Sequence, residues 1–245
     1  MHSGSEHQTD VLILCGGFGK RLRSIVSNKP KPLVEIDNRA FLDLLIEYLA
    51  GYGFKRFILC TGYMGSAIVE HYETLFEHLE ILFSQESQAL GTAGAVKNAE
   101  PLIQSSPFLV ANGDSFCQVD LGEFFGFHQR KAALSSIVVT PIQHSQEFGA
   151  ITLNESQEIV SFEEKKAGGK EALVNAGLYL FEKDVLSLIP PGQTYSLEVD
   201  LFPHLAGRGF YGYAVQSKLI DIGTPERYNQ ALSFFSQHKS EFGLQ

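Results

Sequence analysis

The chain has 245 residues, is 44% hydrophobic and carries a formal net charge of −9. It can bury a substantial core, and it lacks the basic excess of a general nucleic-acid or membrane-surface binder. The polar start MHSGSEHQTD has no apolar signal-peptide core, and no apolar run approaches the ~20 residues of a membrane span. The expectation is a cytoplasmic protein with a frayed tail over residues 1–8 and one continuous domain over 9–245.

In chain order, DVLILC reads as a buried strand. AFLDLLIEYLAGYG has helical spacing through Phe41, Leu44, Leu45, Tyr48 and Leu49 and stops at glycines. FKRFILC is a second strand, SAIVEHYETLF a second helix and LEILFSQE a third strand. GTAGAVKNAEPLI is a third helix that opens on glycines, and SPFLVANGD is a fourth strand ending in polar residues. This alternation implies βαβ units with right-handed crossovers and a parallel sheet. After Lys131 come four strand-like runs with short turns, LSSIVVTPI, FGAITLN, EIVSFEEK and ALVNAGLYLF, which suggest mixed or antiparallel additions. The chain then returns to helices, SLEVDLFPHLA and TPERYNQALSFFSQ, around the strand FYGYAVQ. There is no Pro-rich or Ser-rich linker and no six-residue repeat. The pattern predicts an α/β domain with a mixed, mainly parallel central sheet flanked by helices, and no C-terminal left-handed β-helix.

The cysteines Cys15, Cys60 and Cys117 form no CxxC pair and read as reduced, buried thiols.

The segment after the first strand, CGGFGKRLRSIVSNKPKPL, carries the chemistry. In an open α/β sheet, ligands bind beyond the carboxyl ends of the strands. Glycines there let backbone N–H groups approach an anion. Lys20, Arg21 and Arg23 add charge, and flanking prolines restrain Lys31. The combination reads as a polyphosphate cradle. It is not a P-loop, because Arg21 follows Gly19-Lys20 where Ser or Thr is needed. It is not a dinucleotide fingerprint either, because Leu22 stands in place of the third glycine. A tight turn with solvated charges is the competing reading, and the PKP segment weakens it.

Two aspartates sit at other strand ends. Asp114 follows Asn112 and Gly113 in LVANGDSF, and Asp221 lies between isoleucines in KLIDIGTPERY, with Thr224 as N-cap of a helix from Pro225. Either could be a turn or capping residue. Together, opposite a phosphate cradle, they suit Mg²⁺, which takes one or two carboxylates plus phosphate oxygens and water. Asn175 and Gly177, inside the apolar run ALVNAGLYLF, suggest a bulge or a close approach of backbone to ligand. Lys165 in FEEKK is either a ligand group or part of a solvated charge run.

The ordered motifs CGGFGKRL…KPKPL, LGTAGAV, NGDSF, FEEK, NAGLYLF and DIGTPERY resemble the sugar-1-phosphate nucleotidylyltransferases over nearly the whole chain. Within that family, RLRSIVSNKPKPLVEIDNRAFL is most similar to the D-glycero-D-manno-heptose 1-phosphate guanylyltransferases. The resemblance implies a Rossmann-like nucleotidyltransferase domain. It implies transfer of a nucleotidyl group from an NTP to a sugar 1-phosphate with Mg²⁺, with release of pyrophosphate. Arg21 and Lys31 match the catalytic phosphate-binding cations. Asp114 and Asp221 match the metal ligands. Glu164, Lys165, Asn175 and Gly177 match the sugar-phosphate side. Cys15, Gly16, Gly17, Gly19, Lys20, Gly91, Thr92, Asn112 and Gly113 fall on the nucleotide side. Lys20 departs from the family's usual Thr.

The expected partners are therefore an NTP, by resemblance GTP, and a sugar 1-phosphate, for which heptose, mannose and glucose remain open. No nucleic acid or membrane partner is expected, and the assembly is a monomer or small homo-oligomer. Two other readings compete. An NAD-binding oxidoreductase is weakened by Leu22 and PKP. A catalytically inactive regulatory subunit on the same fold would have no chemical need for Arg21, Lys31, Asp114, Lys165 and Asp221 together.

Overall fold

The computed structural model describes residues 9–19, 21–22, 29–142, 149–163, 172–238 and 241. The expected tail over residues 1–8, together with Lys20, Arg23, Glu164 and Lys165, lies outside them.

Five alternating elements build the first half around strands β1 (Asp10–Leu14), β4 (Arg56–Thr61) and β5 (Glu80–Gln85) and helices α1 (Phe41–Gly51) and α2 (Gly65–Tyr72). Between β1 and α1, β2 (Glu35–Ile36) and β3 (Arg39–Ala40) form a small hairpin. Its turn residues Asp37 and Asn38 both have positive φ, as a tight hairpin turn demands. Helix α3 (Gly91–Asn98) is shorter than expected. Pro101 lacks the N–H that would continue it, and a 3₁₀ turn over Glu100–Leu102 follows. Helix α2 likewise stops short of Phe76, which turns the chain with a φ of 61°.

Strand β6 (Phe108–Asn112) leads through a turn to β7 (Ser115–Cys117). Helix α4 (Leu121–Arg130) was not expected from the sequence. Asp120 caps it by accepting from Glu123 N at 3.0 Å, and Leu121, Phe124, Phe125 and His128 are buried at helical spacing. Strands β8 (Ser135–Ile142), β9 (Ala150–Leu153), β10 (Ile159–Glu163) and β11 (Ala172–Phe181) follow. The expected helix at SLEVDLFPHLA is a π-helical turn (Leu197–Leu201) running into a short helix, α5 (Phe202–Leu205). The chain continues with β12 (Phe210–Ala214), β13 (Leu219–Asp221), which ends on Asp221 as expected, and α6 (Pro225–Gln237).

The nine-stranded sheet contains the path β12-β8-β11-β6-β1-β4-β5. The β6-β1-β4-β5 half is parallel and β11 pairs antiparallel to both β6 and β8, so the sheet is mixed as expected. Alternate residues of β1 supply opposite faces. Val11 and Ile13 pack with α1, α4 and α6, whereas Leu12 packs with α3 and α5. Both faces are covered, which is why DVLIL is an unbroken apolar run after its first residue. That residue, Asp10, is fully buried and is held by Arg56 and by the backbone amides of Gln104 and Ser105. Among the described residues there is no left-handed β-helix, and no helix is long and apolar enough to cross a membrane.

Candidate active site

Beyond the carboxyl ends of β1 and β6 lies a cavity of about 390 Å³. Its walls come from the Leu14–Phe18 stretch after β1, from Lys31 and Pro32, from Asn112 and Asp114, and from Gly91, Thr92 and Ala95 of α3. Glu86, Ala89 and Glu198 complete it. The glycine-rich loop leaves the sheet with Cys15 N still donating to Cys60 O at 2.8 Å. It then turns, with Leu22 N donating to Gly19 O at 3.1 Å, and Leu22 drops back into the core at 2% exposure. The residue that breaks the dinucleotide fingerprint is thus the hook that anchors the loop. Gly19 has a φ of 55°, and a Cβ there would stand 3.1 Å from Lys31 Cβ, so the loop lies directly on the PKP segment.

The backbone segments that carry the two aspartates lie side by side. Strands β7 and β13 pair antiparallel with Asp221 opposite Ser115, and Ile222 N donates to Asp114 O at 3.0 Å. Lys31 Nζ donates to Asp114 Oδ2 at 2.5 Å and lies 3.6 Å from where a Cβ on Gly223 would stand. Lys31 is mostly buried, at 14% side-chain exposure, while Asp114 remains 41% exposed and open to a ligand. Asp221 accepts from Gly223 N at 2.7 Å and pairs with Arg227 Nη1 at 2.9 Å. Among the described residues no group of three or more His, Cys, Asp or Glu comes together. The donor set is therefore the two carboxylates, each also paired with a cation, Asp114 with Lys31 and Asp221 with Arg227. It fits a hard divalent cation that completes its shell with phosphate oxygens and water, and does not resemble a closed structural site.

The wall formed by α3 is held by a neighbouring segment. Ala93 N and Gly94 N both donate to Tyr195 O at 2.9 Å, and Thr92 Oγ1 donates to Glu198 Oε2 at 3.0 Å. Gly91 has a φ of 72°, and a Cβ there would stand 2.7 Å from Tyr195 O, so no side chain fits. The first amides of α3 thus meet protein carbonyl, and Gly91 and Thr92 contribute shape and a hydroxyl to the cavity.

Of the expected residues, Cys15, Gly16, Gly17, Lys31, Gly91, Thr92, Asn112 and Asp114 line this cavity. The Cys15 thiol itself is buried, and burial raises its pKa well above the ordinary value, so it is a wall and not a nucleophile. Arg21 sits on the exposed turn of the loop, apart from the lining residues. Gly113 supports the site from behind, its N donating to Leu14 O at 3.0 Å. Asp221 faces a neighbouring hollow of about 320 Å³ with Lys218 and Arg227.

Asn175 and Gly177 form the expected bulge. The β11–β8 register shifts between Asn175 and Tyr179, and Gly177 N donates to Asn175 Oδ1 at 2.8 Å. The bulge presses Gly177 against Asn112 and Ser115, beside the aspartate turn.

Sequence reasoning missed three charged residues. Glu198 was hidden because Ser196 and the acidic residues after it read as an ordinary helix start. Glu86 closed the expected third strand, LEILFSQE, and read as its polar end. Arg227 looked like a helix-surface residue. No local signal tied any of them to the cradle.

Residues 10–238 match the nucleotidyl transferase family. Among curated proteins, a D-glycero-alpha-D-manno-heptose 1-phosphate guanylyltransferase of Aneurinibacillus thermoaerophilus is 33% identical over 223 residues, covering 91% of this chain and 96% of that protein. A mannose-1-phosphate guanylyltransferase of Mycobacterium tuberculosis is 32% identical, covering 91% of this chain but 63% of that longer protein. Among solved structures, HddC from Yersinia pseudotuberculosis complexed with GMP-PN superimposes with a TM-score of 0.81 at 31% identity, covering 93% of this chain and 99% of that one.

Proposed function

The chain belongs to the nucleotidyl transferase family, and on that premise we propose that it transfers a guanylyl group from GTP to a sugar 1-phosphate, giving a GDP-sugar and pyrophosphate. The observation that carries this reading is the Lys31–Asp114 pair inside a cavity walled by the glycine-rich loop, with Asp221 on the strand paired beside the Asp114 turn. The preference for GTP and for D-glycero-α-D-manno-heptose 1-phosphate is supported by the heptose-specific relative and by the GMP-PN complex of the similar structure. The mannose-1-phosphate relative supports mannose 1-phosphate as a second acceptor.

In this reaction a phosphate oxygen of the sugar 1-phosphate attacks the α-phosphorus of GTP in line. One P–O bond forms, and the bond to the leaving pyrophosphate breaks. A phosphate monoester is already largely ionised near neutral pH, its second pKa being about 6, so no general base is needed. Positioning and charge neutralisation suffice. The Lys31 ammonium, held beside Asp114, neutralises charge at the α-phosphate. Asp114 and Asp221 would hold Mg²⁺, which supplies further positive charge against the phosphate oxygens when bound. The glycine-rich loop offers backbone N–H groups to the triphosphate, and Arg21, on its exposed turn, closes on the leaving pyrophosphate. Lys165 and Glu164 take the sugar phosphate by family resemblance, together with the Asn175–Gly177 bulge.

The test is pyrophosphate release across the four common NTPs and a panel of sugar 1-phosphates. GTP with the heptose is expected to give the highest kcat/KM. Preference for dTTP or UTP would overturn the guanylyl assignment, and no pyrophosphate with any pair would overturn the reaction class.

A further inference from the structure

Asp221 is held at both carboxylate oxygens. Gly223 N donates to Oδ1 at 2.7 Å, and Arg227 Nη1 donates to Oδ2 at 2.9 Å. The pair is shielded from water, with side-chain exposures of 19% for Arg227 and 14% for Asp221, so removing one partner leaves a charge stranded. Lys31 Nζ and Arg227 Nη1 lie 3.6 and 3.7 Å from one point, the Cβ position of Gly223. Two cations therefore converge on the turn that carries this carboxylate.

Arg227 occupies a position that its own helix disfavours. Helix α6 begins at Pro225, and the cap Thr224 accepts through Oγ1 from Arg227 N at 3.3 Å. Arg227 thus sits in the first turn, where the positive end of the helix dipole repels a cation. The bond to Asp221 offsets that repulsion. The two cations are also held differently. Lys31 belongs to a turn stiffened by Pro30 and Pro32. Arg227 faces the hollow of about 320 Å³, lined also by Lys218 and by Gln230 one turn further along α6. Its side chain has room to leave Asp221 with no change in the backbone.

We infer that Arg227 is an exchangeable counter-ion, which holds the Asp221 carboxylate in place and gives it up to the divalent cation that binds there. This rests on the assignment of Asp221 as a metal ligand above. A carboxylate this shielded needs a positive partner throughout. A divalent cation and a guanidinium on the same carboxylate repel one another, so the two partners alternate. Arg227 is then a positioning residue that keeps the site assembled and, in doing so, weakens its metal affinity.

The test measures binding of Mn²⁺, the paramagnetic stand-in for Mg²⁺, to the full chain without nucleotide. Free Mn²⁺ is read by electron paramagnetic resonance, and its effect on Tm by thermal unfolding. Arg227→Gln removes the charge and keeps a polar side chain. It should melt below wild type in EDTA, bind Mn²⁺ about 10-fold more tightly than wild type, and gain more Tm than wild type as Mn²⁺ is added. Arg227→Lys keeps the charge and should bind Mn²⁺ as wild type does.

Equal Mn²⁺ binding by wild type and Arg227→Gln, or none by either, would overturn the inference and leave Arg227 a structural ion pair. Weaker binding by Arg227→Gln would overturn it in the opposite sense, making Arg227 an aid to the metal. Tightening that persists in the Asp221→Asn background would show that Arg227 does not act through Asp221. The Asp221→Asn protein also separates this failure from that of the metal assignment. If it binds Mn²⁺ as wild type does, Asp221 is no ligand and both readings fall. If it binds more weakly while Arg227→Gln binds no more tightly, only the exchange falls.

Discussion

Gly177→Ala offers a direct test of how the β11 bulge supports the site. Gly177 has a φ of 78°, where an L side chain costs about 1–2 kcal/mol. The added Cβ would stand 2.5 Å from Ser115 Oγ, 3.0 Å from Asn112 Nδ2 and 3.1 Å from Asn112 Cβ, all inside ordinary contact. Among the described residues the buried Ser115 hydroxyl has no hydrogen-bond partner, so it can rotate away. Asn112 is less free, because its Oδ1 accepts from Tyr179 OH at 3.5 Å and its backbone belongs to β6. Overpacking of this kind costs about 1–3 kcal/mol. The sum, about 2–5 kcal/mol, corresponds to a fall in Tm of roughly 4–20 °C for a chain of this size. Asn112 lines the cavity and Asp114 is two residues on, so the displacement should also reduce turnover in the folded protein, on the order of 10- to 100-fold. The assay pairs thermal unfolding with pyrophosphate release at a temperature where the variant is fully folded. Gly17→Ala is the stability control, since nothing lies within 4 Å of its Cβ position and its φ is not left-handed; it should melt at or slightly above wild type. A Gly177→Ala protein that melts with wild type and turns over normally would refute the argument.

Other outcomes follow from the same geometry. Asp114→Asn and Asp221→Asn should each abolish most turnover while the fold survives, whereas Thr224→Ala, which removes the α6 cap at Arg227 N, should cost about 1 kcal/mol and leave activity in the cold intact. Thermal melts beside rates separate these, and a Mg²⁺-independent reaction in excess EDTA would contradict the metal assignment. Arg21→Ala should lower kcat, on the order of a thousandfold, and Lys165→Ala should raise KM for the sugar 1-phosphate more than for the NTP. Steady-state kinetics with each substrate varied in turn checks both, and an unchanged Lys165→Ala would return that residue to the solvated run. Burial pushes the thiol pKa values of Cys60 and Cys117 up to about 12 and about 11 and raises that of Cys15 well above its ordinary value, so all three should resist iodoacetamide near neutral pH until the protein unfolds. Rapid alkylation of native protein, read by mass spectrometry, would contradict the burial.

Much of the parallel half of the fold was legible in the sequence, because its strands and helices are local patterns. DVLILC and FKRFILC are apolar runs bounded by turns, and α1 shows its buried face at helical spacing. The glycine-rich loop and the PKP segment were legible for the same reason, since glycine and proline act on their own backbone. Thr224 could be read as a cap because capping is a contact across three residues. Helix α4 escaped because glycines at 122 and 126 interrupt its pattern, and β7 and its pairing with β13 escaped because strands of three residues carry almost no periodicity.

What only the tertiary structure decided is which of the candidate groups share a site. Lys31 and Asp114 are 83 residues apart and touch because the PKP turn and the β6–β7 turn leave the same edge of the sheet. Asp221 joins them through a ribbon pairing that its sequence does not announce. Thr92 and Glu198, 106 residues apart, are linked across the same cavity, and Glu86 enters it because Gly16 leaves room for a carboxylate beside its Cα. Backbone conformation is set within a few residues and can be read there. The meeting of distant side chains depends on strand order, register and the closeness of one turn to another, which the chain specifies only through the packing of the whole sheet.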